Sequence, residues 1–403
     1  MSRIGQAVAA ASMPVNQPRK ISIFGSTGSV GCSTIDLIDQ CPDEFEIDVL
    51  SAHQNVVELA QQALRLNANL AIIADPAKYA ELKSLLAGTG VEVAAGADAL
   101  EEAARRPVDW IMASIMGAAG LKPTLAAVQS GATVALANKE SLVCAGDLMM
   151  QQVRAHGSTL LPVDSEHNAI FQVLELNQID RVKRLILTAS GGPFREFSKD
   201  DMRHVTKAQA LAHPNWDMGA KISIDSATMM NKGLEFIEAY HLFPVERDQI
   251  EILVHPQSVI HSMVEYGDGS ILAQMGSADM RIPISYALGW PDRHQFTFEK
   301  LDFAKLGSFT FEDPDFERFP ALKLAMTALE TGKSAPAILN AANEEAVAGF
   351  LGLKIGFLDI VSVVETVLEK TDFIELGTIE DVFDQDRLAR ILARQVIKDK
   401  FTQ

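Results

Sequence analysis

The 403-residue sequence is poor in cysteine: Cys32, Cys41 and Cys144 form no CxxC pair. That excludes a disulfide framework and fits a reducing cytosol. Basic charge is also in deficit, with 35 Lys and Arg against 53 Asp and Glu and a net charge of -18. Nucleic acid and anionic lipid are both bound through basic surface, so neither is an expected partner, and an anionic ligand needs a local basic pocket. Long apolar runs are missing too: no stretch has the roughly 20 uninterrupted apolar residues that cross a bilayer. The Ala-rich start is broken by Pro14 and reads as a frayed arm over residues 1–19 rather than a targeting segment. No internal repeat or low-complexity tract is present.

What the sequence does have is 48% hydrophobic and 22% charged residues, the balance of a soluble globular protein, in a length that exceeds one hydrophobic core. Ile21 to Phe24 reads as a strand, GSTGSVG from Gly25 to Gly31 as a glycine turn, and the next residues as a helix stopped by Pro42. Phe45 to Ser51 follows as a strand in which Ile47 and Val49 alternate with Glu46 and Asp48. Ala71 to Ala74, Trp110 to Ser114 and Thr133 to Ala137 repeat the pattern of apolar run then helix, which predicts a parallel, doubly wound, Rossmann-like α/β sheet over residues 20–163. Residues 164–290, with RLILTAS, EILVHPQS and SILAQM, read as a mixed α/β domain. Residues 291–316 read as a linker and 317–403 as an α-helical bundle.

Glycines at 25, 28 and 31 after a strand and before a helix suit a dinucleotide pyrophosphate, with Thr27, Gly28, Ser29 and Val30 closest to it. The second strand ends in His53, Gln54 and Asn55 rather than in a carboxylate, so NADP is preferred over NAD. Asn138, Lys139 and Glu140 follow the run TVALA, at the end of a strand where such sheets bind ligands. In PVDSEHN, Asp164 and Glu166 stand two residues apart, and an extended backbone there aims both carboxylates to one side, as a hard divalent cation requires. A solvated or helix-capping role is the alternative reading of that pair. In IDSATMMNKGLEF, Asp225 or Ser226 caps a helix whose one face offers Asn231, Lys232 and Glu235. LTASGGPF presents Ser190 and backbone N–H groups to an anion, and with Ser226, Asn231 and Lys232 it composes a phosphate pocket. HPNWDMGAK, carrying His213, Trp216 and Gly219, cannot be a regular element. Trp216 is either a lid residue over substrate or an anchored core residue.

In this order GSTGSVG, ALANKESLV, LPVDSEHNAIFQ, ASGGPF, HPNWDMGAKISIDSATMMNKGLE and ILVHPQSVIHSMVEY closely resemble the 1-deoxy-D-xylulose 5-phosphate reductoisomerase family, from about residue 20 onward. The resemblance implies an NADPH-binding domain, a connective catalytic domain and a C-terminal helical domain, in a homodimer. It also implies a divalent metal, magnesium, manganese or cobalt, on Asp164, Glu166 and Glu235. Ser165, Ser190, Ser226, Asn231 and Lys232 are assigned to a sugar phosphate substrate, joined by Lys139, His213 and Trp216. Lys139, Glu166, His213 and Glu235 are placed in the chemistry, and Gly219 and Met280 beside the cofactor. The implied reaction rearranges the ketose phosphate and reduces the product with NADPH. One departure is Gln54, where family members commonly carry a basic residue. Two other readings are weaker. A dehydrogenase of aspartate-semialdehyde type needs a nucleophilic cysteine, and Cys144 has no such setting. An NADP-sensing regulator does not need the intact Asp164, Glu166, Lys232 and Glu235.

Overall fold

The computed structural model describes residues 18–216 and 218–401, so nearly all of the arm expected at 1–19 lies outside the described residues. The chain divides into two compact units, each assembled from separated stretches. The first holds the residues up to Ser141 with Met149–Asn168 and Asp279–Glu299, and the second holds Leu142–Leu148, Ala169–Ala278 and the chain from Lys300.

In the first unit β1 (Arg19–Phe24), β2 (Phe45–Ala52), β3 (Leu70–Ile73), β4 (Glu92–Ala95), β5 (Trp110–Ala113), β6 (Thr133–Leu136) and β7 (Thr159–Pro162) form one parallel sheet, ordered β4-β3-β2-β1-β5-β6-β7. Helices α1 (Ser29–Ile38), α2 (Val56–Arg65), α3 (Tyr79–Leu85), α4 (Ala97–Ala104), α5 (Leu121–Gln129) and α6 (Lys139–His156) make the connections, and α7 (Ser165–Val173) follows β7. The central strands are short and fully buried, which is why they read as continuous apolar runs. The chain winds outward in opposite directions from β1, so a crevice opens where β1 and β5 end. The doubly wound expectation holds. Strand β4 is an addition to it, an edge strand whose sequence EVAA is too exposed to carry a strong pattern.

One side chain in this sheet departs from the sequence pattern. Asp48 reads as an outward position of β2, yet it is fully buried. Arg106 grips it through two hydrogen bonds of 2.6 and 2.9 Å, Asn69 donates at 3.1 Å, and Lys20 pairs with it at 3.2 Å. A buried carboxylate needs such partners.

The second unit carries a four-stranded sheet of β8 (Val182–Ala189), β9 (Ile250–Val254), β10 (Ile260–Tyr266) and β11 (Ile271–Met275), ordered β11-β10-β8-β9. Between β8 and β9 the chain runs through α8 (Lys199–Met202), α9 (Lys207–Leu211), α10 (Ala220–Ala227) and α11 (Met230–Leu242). Helix α12 (Arg281–Gly289) belongs to the first unit, where its main chain receives the indole N–H of Trp110 at 3.0 Å and the amide of Asn168 at 3.2 Å. Then come α13 (Phe303–Leu306), α14 (Pro320–Thr331), α15 (Ala335–Leu351), α16 (Asp359–Glu369) and α17 (Ile379–Phe401). Helix α15 is buried on nearly all sides by α10, α14, α16 and α17, as its even spread of Ala, Ile, Leu and Val requires.

Candidate active site

The glycine turn of the first unit is shaped for a close approach. Gly25 has a left-handed φ of 93°, and a Cβ there would meet the carbonyl oxygen of Ser114, just after β5, at 2.9 Å. A Cβ on Gly31 would lie 2.3 Å from the carbonyl oxygen of Gly25, so only glycine lets α1 pack onto the turn. Ser51, at the end of β2, fastens the other side by accepting from the N–H of Gly25 at 3.0 Å and from that of Ser26 at 2.7 Å. Thr27 and Val30 are half-buried, Gly28 and Ser29 exposed, and no side chain caps α1 at Gly28. The first N–H groups of α1 therefore face the crevice with the positive end of the helix dipole, as an anion requires.

His53, Gln54 and Asn55 are exposed after β2. Asn55 accepts from the N–H of Glu58 and thereby caps α2, while the Gln54 amide donates to Asp75 at 3.3 Å. Asn138 is buried and caps α6, accepting from the Ser141 N–H at 2.8 Å and donating to the carbonyls of Ile115 and Gly117. It pins the loop after β5 to the start of α6. The ammonium of Lys139 pairs with Asp164, and Glu140 is buried beside it in the chain. Met280 stands at the start of α12.

Asp164 follows β7, but Glu166 lies in the first turn of α7, where the N–H of Asn168 bonds to the carbonyl of Asp164 at 2.8 Å. The backbone here is helical, not extended, which corrects the sequence expectation. The Asn168 amide, donating back to the carbonyl of Pro162 at 2.8 Å, stabilises the immediate turn from strand to helix. Ser165 donates its hydroxyl to Glu166 at 2.6 Å.

In the second unit β8 ends at Ala189, and Ser190 opens a turn in which Gly191 and Gly192 both take positive φ. A Cβ on Gly192 would meet the carbonyl oxygen of Ser226 at 2.7 Å, so this glycine brings the turn against the end of α10. His213 Nδ1 accepts from the N–H groups of Asn215 at 3.2 Å and Trp216 at 3.0 Å, which fixes the ring proton on Nε2. Nε2–H then donates to Ser190 Oγ at 2.9 Å, and the Gly192 N–H donates to the same oxygen at 3.1 Å. With two hydrogens accepted, Ser190 keeps its own to give to an anion.

The HPNW loop is tied down rather than loose. Asn215 donates to the carbonyl of Pro256 at 2.7 Å and to Ser258 at 3.0 Å, and the half-buried Trp216 ring lies 5.9 Å from that of buried His261. Sequence reading passed over Asn215, because nothing local marks which distant loop its amide reaches. Gly219 is the exposed cap residue of α10. On α11, Asn231 and Lys232 both donate to Glu235, a fully buried carboxylate, while Ser226 stands half-buried in the last turn of α10. Amide, ammonium, hydroxyl and carboxylate thus converge on the α10–α11 corner.

Comparison with known proteins covers nearly the whole chain. Family models match at residues 21–146 (1-deoxy-D-xylulose 5-phosphate reductoisomerase), 160–243 (1-deoxy-D-xylulose 5-phosphate reductoisomerase C-terminal domain) and 275–392 (DXP reductoisomerase C-terminal domain). A relative from Zymomonas mobilis, 1-deoxy-D-xylulose 5-phosphate reductoisomerase, is 59% identical over 384 residues, 95% of this chain and 99% of its own. One from Rhodospirillum centenum is 57% identical, covering 94% of each chain. Among solved structures, the Zymomonas mobilis enzyme in complex with NADPH superposes with a TM-score of 0.91 at 57% identity, covering 95% of this chain and all of that one. A reductoisomerase in complex with NADPH, fosmidomycin and magnesium does so with 0.90 at 42% identity, covering 94% and 98%.

Proposed function

The chain belongs to the 1-deoxy-D-xylulose 5-phosphate reductoisomerase family, and on that footing we propose how its side chains divide the work. The enzyme is an NADP-dependent oxidoreductase that rearranges and reduces 1-deoxy-D-xylulose 5-phosphate to 2-C-methyl-D-erythritol 4-phosphate in non-mevalonate isoprenoid precursor synthesis, using NADPH and a divalent metal ion. The metal, when bound, supplies Lewis acidity to the substrate's carbonyl and neighbouring hydroxyl, and NADPH supplies the hydride.

Asp164, Glu166 and Glu235 hold the metal in this proposal. Their fit is chemical: they are hard oxygen donors, and each already takes hydrogen or charge from a neighbour, Lys139 on Asp164, Ser165 on Glu166, and Asn231 with Lys232 on Glu235. Magnesium, manganese and cobalt all suit such a set. Ser190, Ser226, Asn231 and Lys232 take the substrate phosphate. The observation that carries this is Ser190, whose oxygen accepts from His213 and Gly192 and so is left with its own hydrogen to donate. Lys139 and Ser165 contact the substrate's oxygens, and His213 and Trp216 close over it and exclude water. Thr27, Gly28, Ser29 and Val30 receive the pyrophosphate, His53, Gln54 and Asn55 the 2'-phosphate end, and Asn138, Glu140, Gly219 and Met280 line the nicotinamide end. Residues 20–163 serve the dinucleotide, 164–290 the chemistry, and 317–403 the scaffold, with 291–316 linking them.

The working form is a homodimer in the cytosol. Two observations support this. Strand β11 is a sheet edge with Ile271 and Leu272 exposed, the kind of edge a second copy covers, and Cys32, Cys41 and Cys144 are all free thiols. A monomer in sedimentation at micromolar concentration refutes the dimer. The site assignment is tested with Glu235→Gln, which keeps shape and removes one charge. NADPH oxidation should fall about 100-fold or more while NADPH binding survives. Equal activity of the variant at limiting magnesium removes Glu235 from the metal.

A further inference from the structure

One buried polar contact in the second unit has no part in the roles assigned above. Asp225, in the last turn of α10 and 1% exposed, accepts a hydrogen bond from the Asn343 amide of α15 at 2.8 Å. Its other oxygen pairs with the ammonium of Lys221, one turn earlier, at 3.0 Å. Asn343 is fully buried, and its carbonyl oxygen has no hydrogen-bond partner. Leu339, Ala342, Ala346 and Val347 around it on α15 are buried too, so an apolar residue at 343 would sit there without a desolvated carbonyl. Buried polar pairs of this kind are often replaced by apolar ones with no loss of stability. Stability alone does not account for the pair, although removing the amide by itself leaves a buried carboxylate oxygen without its donor and lowers the melting temperature as well.

What the contact does fix is orientation. Asp225 immediately precedes Ser226, and three residues later Met229, with a left-handed φ of 63°, turns the chain into α11, whose first turn carries Asn231 and Lys232. A small rotation of α10 about its axis therefore displaces the Ser226 hydroxyl and, through this short corner, the start of α11. The carboxylate held from α15 blocks that rotation. We infer that Asp225 and Asn343 are positioning residues for the phosphate pocket: their hydrogen bond sets the α10–α11 corner at which Ser226, Asn231 and Lys232 meet the substrate's phosphate. This rests on the assignment of those three residues to the phosphate.

The test uses the full chain with substrate kinetics, competition by inorganic phosphate, and thermal melts. Asn343→Leu should raise the substrate KM and the phosphate inhibition constant about tenfold, with the NADPH KM unchanged and kcat within about twofold. The exchanged pair, Asp225→Asn with Asn343→Asp, keeps one amide–carboxylate hydrogen bond and should recover most of that loss. A lower melting temperature with unchanged substrate KM overturns the inference, as does equal weakening toward NADPH. Should Asn343→Leu fail to fold, Lys221→Met strips the other partner from the same carboxylate and must raise the same two constants; unchanged values overturn it. Ser226→Ala and Lys232→Gln separate the two levels. If neither weakens phosphate, the pocket assignment falls and the inference with it. If both do while Asn343→Leu does not, the positioning role alone falls.

Discussion

Acid should weaken the first unit through Asp48 in a way that can be worked out in advance. Burial alone pushes this carboxyl upward, but hydrogen bonds from Arg106, Asn69 and Lys20 outweigh it and hold it at about 2, against an ordinary 3.8. A depressed carboxyl stabilises the fold above its unfolded pKa, and the benefit is lost as the pH falls toward the folded value. A tenfold change in proton affinity corresponds to about 1.4 kcal/mol, so the gap is worth about 2 kcal/mol at neutral pH, half of it gone by about pH 3. Asp48→Asn keeps the shape and removes the charge. At pH 7 the variant should be less stable by about 2 kcal/mol, equivalent to a melting temperature lower by about 5 °C for a unit of this size. Melting both proteins between pH 7 and pH 3 cancels every other carboxylate from the comparison. The difference should shrink steadily below about pH 4. A constant difference across that range would show that packing, not charge, was lost, and no difference at any pH would refute the role of the Arg106 grip.

Three further outcomes bear on the cofactor and the lid. Gly31→Ala places a methyl 2.3 Å from the Gly25 carbonyl, so NADPH affinity measured by fluorescence titration should fall about tenfold or more; unchanged affinity would mean the turn does not touch the cofactor. Gln54→Arg should widen the preference for NADPH over NADH in catalytic efficiency, and equal use of both cofactors by the unaltered enzyme would contradict the NADP assignment. Trp216→Ala should weaken binding of a phosphonate hydroxamate inhibitor, which carries phosphate-like and metal-chelating groups, and slow turnover with little change in melting temperature. A loss of about 3–5 kcal/mol of stability with unaltered inhibitor affinity would instead make Trp216 a core residue.

Much of the first unit is legible in the sequence because hydrophobic periodicity and glycine turns are local. Ile21 to Phe24 and the turn after it declare themselves within a dozen residues, and the doubly wound sheet follows. What fails is whatever depends on distant chain. Asp48 reads as outward because its partner Arg106 comes 58 residues later, and alternation within β2 carries no trace of it. The helical start at Ser165 was hidden by a carboxylate pair that reads equally well as extended, since the amide of Asn168 bonding back to Pro162 decides the matter. The partnership of Ser190 with His213 spans 23 residues, and the tautomer that gives it a direction depends on two backbone N–H groups that no side-chain pattern encodes. In the corner of α10 and α11 helical spacing already placed Asn231, Lys232 and Glu235 on one face, and their hydrogen bonds agree. The capping role read for Asp225 or Ser226 fails, because both lie inside α10 and Met229 precedes α11.

The interleaving of the two units bears on how the chain is made. Trp110 is fully buried in the first unit's sheet, and its indole N–H donates to the main chain of α12. On the ribosome, the whole stretch that supplies β8 to β11 of the other unit is synthesised before α12 emerges. Through that interval the N-terminal sheet waits without the α12 carbonyl that accepts the Trp110 indole N–H. For the same reason a gene fragment ending after β7 would encode every strand of the dinucleotide sheet and still lack the helix that closes it.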